Sequence, residues 1–349
     1  MTREEIIRTF NPNAPGTNGT LFGLPFDEHT AQIIVVPVPW EVTVSYHEGT
    51  ARGPEAILEA SAQVDLYDRN ISNAWQIGIA LAAINEKLKE DNRKLRETAA
   101  LHIQSLTSET ADVNTQHLDA VNQGCEEMVR YVKQTTRNYL AQGKMVAVLG
   151  GDHSTPLGFI QALSEQHDRF SILQIDAHAD LRKAYEGFIY SHASIMYNAL
   201  KLPAVNRLIQ VGIRDFCEEE VQVIERSMGR IKTFYDEDIK NSMYEGRSWQ
   251  SLCNDIIQEL NEKVYISFDI DGLNPSLCPN TGTPVAGGLE FHQVLYLLRK
   301  LVESGKKIIG FDLNEVAPGE SDWDANVGAR LLYQLCNWMA VSQGKHPKR

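Results

Sequence analysis

Apolar residues in this chain fall into short unbroken runs, separated by longer stretches in which they recur every three or four positions. Residues 33–38, 145–149, 171–175, 208–213, 231–234, 264–268 and 308–313 are runs of the first kind. Rich in β-branched and aliphatic side chains and too short for helices, they predict strands buried on both faces. Stretches of the second kind predict helices over 55–64, 121–142, 156–166, 218–227, 249–261, 291–304 and 327–340. Pro54 suits a first helical turn, and Gly143 marks a helix end.

Strand and helix alternate almost throughout, which predicts an α/β fold: a mostly parallel sheet with helices on both faces, a three-layer sandwich. One domain is expected over 31–342, preceded by an N-terminal extension over 1–30 and followed by a tail over 343–349. The segment 85–118 interrupts the alternation. It is dense in charge from Glu86 to Glu97, then rich in Ser and Thr, and reads as an exposed helix followed by a loop on a solvated excursion.

Three of the strand runs lead directly into His and Asp. Gly150-Gly151-Asp152-His153-Ser154 follows the second, Asp176-Ala177-His178-Ala179-Asp180 the third, and Asp269-Ile270-Asp271 the sixth. In an open parallel sheet the carboxyl ends of the strands share one edge, where ligands bind. Residues at i and i+2 of an extended chain point to one side, so each cluster is expected to aim several side chains at one place. Carboxylates and imidazoles together suit a pair of divalent ions, Mn²⁺ first. Two such ions a few ångströms apart lower the pKa of a shared water, which makes hydroxide available near neutral pH. The residues thus point to a binuclear metal hydrolase, against the plainer reading of solvated turn acids.

These motifs resemble those of the ureohydrolases, the family of arginase, agmatinase, formiminoglutamase and guanidine hydrolase. The resemblance runs through GGDHS at 150–154, DAHAD at 176–180, SFDIDGLNP at 267–275, TGTPVAGGL at 281–289 and Glu315-Val316-Ala317-Pro318, and covers roughly residues 30 to 340. It implies a binuclear manganese site ligated by His153, Asp176, His178, Asp180, Asp269 and Asp271. Asn274 departs from the pattern, since the family usually has Asp there. That position is not a metal ligand in the family, so only local loop electrostatics are put in question.

Other candidates face the substrate. His192, a dozen residues beyond Asp180, can move a proton to a leaving amine near pH 7, and the matching family histidine lies in the substrate cleft. Glu315, beyond the last strand run, can grip a planar guanidinium by a two-point hydrogen bond, the role the resemblance assigns to it. The loop 39–45, with Thr43 as its substrate-facing candidate, and the region of Trp323 could close the pocket. Trp323 offers an aromatic face between Asp322 and Asp324, and anchoring of an exposed loop is the plainer reading. His47 is a candidate for the cleft mouth. His29, His102, His117, His167, His292 and His346 read as surface residues.

The resemblance implies urea release from a small cationic guanidino substrate. The stretch from Asp180 to Ser194 looks like agmatinases and lacks the Asn-bearing loop by which arginases hold an α-amino acid. Agmatine would also tolerate an acidic rim of Glu320, Asp322 and Asp324. Free guanidine is the alternative, and formiminoglutamase-type or arginase-type specificity ranks lower. A one-zinc amine deacetylase would need fewer carboxylates, and nothing favours a non-catalytic scaffold. Two imidazoles also allow Ni²⁺ or Co²⁺. Composition narrows the partners: a net charge of −13 argues against nucleic acid and anionic membrane. Five scattered cysteines without C-x-x-C spacing read as reduced thiols of a cytoplasmic protein, Cys278 as a packed thiol rather than a nucleophile. No run is apolar enough to span a bilayer. Relatives in the family commonly form homo-oligomers, trimers or hexamers.

Overall fold

The computed structural model describes residues 1–106 and 115–346. Its centre is one eight-stranded sheet: β1 (Ile33–Val38), β2 (Ile79–Leu81), β3 (Met145–Gly150), β4 (Phe170–Ile175), β5 (Val205–Ile213), β6 (Ile231–Tyr235), β7 (Lys263–Asp269) and β8 (Lys307–Asn314). The spatial order is β2-β1-β3-β8-β7-β4-β5-β6, and every registered pairing is parallel. Every residue of β1, β3 and β4 is buried, as their unbroken apolar runs require. Flanking helices complete an α/β sandwich, and Trp323–Ser342, packed on β8 and on Gly53–Ser61, contributes the largest single set of buried helical side chains.

All seven expected strands are present, with ends moved by at most three residues. β2 escapes sequence reading because three residues carry no periodicity. Among the described residues, the helices Arg3–Thr9 and Asp236–Tyr244 were not expected. The first is closed by a capping box of Thr2 and Glu5, and the second opens on Asp236, Glu237 and Asp238, acids that suit a helix N-terminus.

The charged segment differs in part from expectation. Glu86–Leu106 is a helix whose charged faces are exposed as expected, but Leu88, Asn92, Ala99 and His102 are buried along one stripe, and the helix packs on Thr115–Ala141. High charge on the other faces hides that stripe in the composition. The loop expected beyond it falls largely at 107–114, outside the described residues. Among the described residues no helix is long and apolar enough to cross a membrane.

The topology decides where chemistry gathers. Chain order passes from β3 to β4, yet β8 and β7 lie between them in space. The carboxyl ends of β3, β8, β7 and β4 therefore stand side by side at the centre of the sheet, where the connections change direction.

Candidate metal centre

β3 ends in the Gly150-Gly151 turn, which presses against the loop after β1: the amide of Asp152 donates to the Trp40 carbonyl at 2.7 Å. His153, only 1 % exposed, is oriented from its far side. Its Nε2 lies 2.9 Å from the Ser267 hydroxyl on β7, and that hydroxyl donates to Asp312 Oδ1 on β8 at 3.0 Å. With its own proton given to Asp312, Ser267 accepts from Nε2–H, which leaves Nδ1 as the bare, basic nitrogen. Nδ1 stands 3.0 Å from Asp176 Oδ2, 3.0 Å from Asp180 Oδ2 and 3.3 Å from Asp269 Oδ2, and makes no directed hydrogen bond.

Asp271 and Asp269 are held by one oxygen and present the other, whereas Asp176 is held by both. Asp271 Oδ1 accepts from the Ala177 amide at 3.0 Å, while its buried Oδ2 has no hydrogen-bond partner. Asp269 Oδ1 accepts from the Asp271 amide at 2.9 Å. Asp176 Oδ1 accepts from the His178 amide at 2.6 Å, and Oδ2 from Gln174 Nε2 at 2.8 Å. His178 turns Nδ1 toward Asp271 Oδ2 at 3.0 Å and leaves Nε2 near Asp215, 3.9 Å away.

Convergence does not arise by simple alternation, as expected from the i, i+2 spacing. Only Asp269 ends a strand, and Asp271 sits in a 3₁₀ turn, Ile270–Gly272. Asp180 adopts a left-handed backbone with φ 56°. A non-glycine residue held there signals a position the surroundings enforce, and such strain gathers at functional sites.

Charge in the cluster is only partly compensated: burial of Asp176 is outweighed by the His153 and His178 imidazoles, which hold its carboxyl below the usual range. Burial, reinforced by the Asp176 carboxylate, pushes Asp180 up to about 7. Burial and the neighbouring Asp271 and Asp176 raise Asp269 well above the carboxylate range. Burial opposes protonation of His153 and His178, but the surrounding carboxylates outweigh it and hold both imidazoles above their usual value. Two groups, His153–Asp176–Asp269 and Asp176–His178–Asp271, each bring ligand atoms within 4.8 Å of one another and share Asp176. Buried acids in excess, an imidazole nitrogen and an Asp271 oxygen both without a directed hydrogen bond fit two divalent cations.

Glu315 follows β8 in a left-handed conformation, φ 64°, and is 6 % exposed. Its Oε1 accepts from the His153 amide at 2.8 Å. A Cβ on Gly282 would come within 3.1 Å of Oε2, so glycine there leaves that oxygen its room. Burial, with Asp152 and Asp271 nearby, drives the carboxyl well above its usual value, as expected of a group awaiting a cation. His192 meets Thr43: its amide donates to Thr43 Oγ1 at 3.3 Å, and Nδ1 is 3.5 Å from the same hydroxyl. Burial and the nearby His178 and His153 rings lower its pKa to about 3, so this imidazole stands neutral rather than charged near pH 7.

A cleft of about 140 Å³ is lined by Ser45, His178, Asp180, Arg182, Tyr185 and His192, with Phe216 and Thr283 among its other walls. Trp323 is not among them. It opens the helix Trp323–Ser342 and donates from Nε1 to the Ser276 carbonyl at 2.9 Å, the loop-anchoring arrangement. Asp324 is not a rim acid either, being fully buried and taking both the amide and the side-chain nitrogen of Asn280 at 2.9 Å. Glu320 and Asp322 are exposed. His47 is exposed, with its amide 3.4 Å from the Gly282 carbonyl. His102 is buried and bonded, contrary to expectation. Cys278 is a packed thiol that donates to the Ile270 carbonyl at 3.1 Å, with its pKa raised by burial. Sequence reading missed Ser267, Asp312 and Gly282. A charged residue inside an apolar strand run, as at Asp312, was the available signal.

The sequence profile of the arginase family matches residues 31–337. N(1)-aminopropylagmatine ureohydrolase of Synechocystis sp. is 31% identical over 320 residues, 90% of this chain and 91% of that protein. Agmatinase of Neisseria meningitidis serogroup A is 27% identical over 317 residues, 89% of this chain and 88% of that protein. The crystal structure of agmatine ureohydrolase of Thermoplasma volcanium has the same fold, with a TM-score of 0.71 at 22% identity, over 99% of this chain and 100% of that one. Enzymes of this family bind two divalent metals, in keeping with the two His/Asp groups. The chain belongs to the arginase family and is a ureohydrolase, a hydrolase of linear amidines.

Proposed function

We propose that this ureohydrolase is agmatinase-like, releasing urea and an amine from a small cationic guanidino substrate. The observation that carries this reading is the pair of acid-rich triads sharing Asp176, with uncompensated Glu315 beside them. His153, Asp176, His178, Asp180, Asp269 and Asp271 would hold two divalent cations, Mn²⁺ first, with Ni²⁺ or Co²⁺ as alternatives. When bound, such a pair supplies Lewis acidity and an activated water. The chain's own residues do the remainder. The amides of Ala177, His178 and Asp271 fix the carboxylates before substrate arrives. Glu315 orients the planar guanidinium by a charge-assisted pair of hydrogen bonds. His192, neutral and steered by Thr43, would accept the proton released as water adds to the substrate and pass it to the departing amine.

The relatives named for agmatine and aminopropylagmatine support a guanidino amine. The narrow cleft, walled by Arg182 and Tyr185, favours free guanidine as the second reading. Five free cysteines, four of them buried, support a cytoplasmic setting. The test is urea production from agmatine, N1-aminopropylagmatine, guanidine, arginine and guanidino acids after Mn²⁺ or Ni²⁺ loading. Agmatine-type substrates are expected to lead and arginine to lag. Faster turnover of arginine would reverse the assignment, and turnover of guanidine alone would select the second reading.

A further inference from the structure

The two loops that meet at Thr43 and His192 come from distant parts of the chain, and both lie outside the strands. One is the loop 39–48 after β1, the other the loop 181–192 beyond the DAHAD motif. Both are tied to the helix Glu86–Leu106. On its inner face Asn92 Oδ1 accepts from the Glu41 amide at 2.7 Å. One turn on, Arg96 donates from Nη1 to the Val42 carbonyl at 2.9 Å and from Nε to Glu48 Oε1 at 2.9 Å. The Arg96 side chain is 15% exposed and its bond to the Val42 carbonyl is partly buried, while Glu48 lies at the surface. Six residues further, about 9 Å along the axis, His102 reaches the second loop. Its Nε2 lies 2.9 Å from the Glu186 carbonyl, an atom that can only accept, so Nε2 carries the proton. The ring also packs against Phe188, with centroids 5.2 Å apart.

The next helix adds to the second anchorage. Asn122 in Thr115–Ala141 donates to the Gly187 carbonyl at 3.3 Å and accepts from the Ile189 amide at 2.9 Å. Glu186 itself is left-handed, φ 54°, which bends the chain so that its carbonyl turns toward the helix. One rigid element thus spans both loops, and the places it grips flank the point where they touch.

We propose that the helix Glu86–Leu106 is a splint for the reaction site, and that Arg96 and His102 are positioning residues acting through the Thr43–His192 contact. The inference rests on the reading of Thr43 and His192 given above. Neither Arg96 nor His102 touches the reacting atoms. Their task is to hold two loops in one register, because displacement by about 1 Å of a group that must meet the substrate costs on the order of a hundredfold in rate.

The test is steady-state urea release, with agmatine and guanidine as separate probes, from Arg96→Met, His102→Phe, Thr43→Val and the pairwise combinations of Thr43→Val with the other two. Each single variant is expected to lower kcat by roughly tenfold to a hundredfold, with bound metal unchanged. Since all three act through one contact, each double variant should be no slower than its slower parent. Arg96→Lys, able to reach one of the two acceptors, should recover part of the loss. Leu95→Ala serves as the control: it loosens the packing of the helix at Gly124, and its apolar side chain makes none of the hydrogen bonds to either loop. It should lower the melting temperature and leave kcat intact below that temperature. Multiplying losses in the double variants, or a Leu95→Ala loss equal to that of Arg96→Met, would overturn the splint. If Thr43→Val alone leaves turnover unchanged, the reading of the Thr43–His192 contact fails, and the splint with it. A harmed Thr43→Val beside a normal Arg96→Met would refute the splint alone.

Discussion

At the scale of single residues, orientation of ligands matters as much as their identity. Ser267 has no place in the metal set, yet it decides which nitrogen of His153 is free. Ser267→Ala should weaken metal binding about 10- to 100-fold, the usual effect of losing a partner that orients a ligand. Competition with a chelator measures it, and unchanged affinity would show that the relay is idle. Glu315→Gln keeps the shape and removes the charge. It should lower kcat/KM on the cationic substrate by on the order of a hundredfold while metal content stays at its normal value. Equal kcat/KM would take the guanidinium away from Glu315. Asn274, where the family usually has Asp, also has a local explanation. Its Nδ2 donates to Glu290 Oε1 at 3.0 Å, a bond that Asp could not make. Asn274→Asp should place two carboxylates face to face and lower stability by about 0.5–1 kcal/mol, read from the denaturation midpoint.

At the scale of elements, legibility followed burial. Strands enclosed on both faces must be apolar throughout, so β1, β3 and β4 stood out as unbroken runs. The helix Glu86–Leu106 was legible as an exposed helix, while its buried stripe was not, because a narrow stripe can be carried by Leu, Asn, Ala and His among many charges. Its burial can be checked directly. Ala99 is fully enclosed, so Ala99→Asp would bury an unpaired carboxylate. A loss of several kcal/mol in unfolding free energy is expected, whereas a solvated helix would accept the change within about 0.5 kcal/mol.

At the scale of the whole molecule, the buried carboxylates beside β3, β4 and β7 are an electrostatic burden in the metal-free protein, as the raised Asp180 and Asp269 show. Metal binding to the folded state should therefore lower that burden and add linkage stability. With free Mn²⁺ at a hundred times its dissociation constant, each site adds about 2.7 kcal/mol. Chelation should shift the unfolding midpoint down and Mn²⁺ restore it, and a midpoint indifferent to both would argue against cations in these triads.

Much of the candidate site was readable from residues alone: His153, the Asp176–Asp180 cluster, the Asp269–Asp271 pair and Glu315 stand where strand runs end, because a parallel sheet exposes those ends at one edge. Local order carries that information, since an apolar run and the polar residues after it are neighbours in the chain. Which ends become neighbours is not local. The insertion of β8 and β7 between β3 and β4, the left-handed turn at Asp180, the Ser267–Asp312 support and the clasp of Arg96 and His102 on two loops join residues far apart in sequence. Such contacts form only when the layers pack together, so the chain's pattern determined the candidate ligands, and tertiary structure alone decided how they face one another.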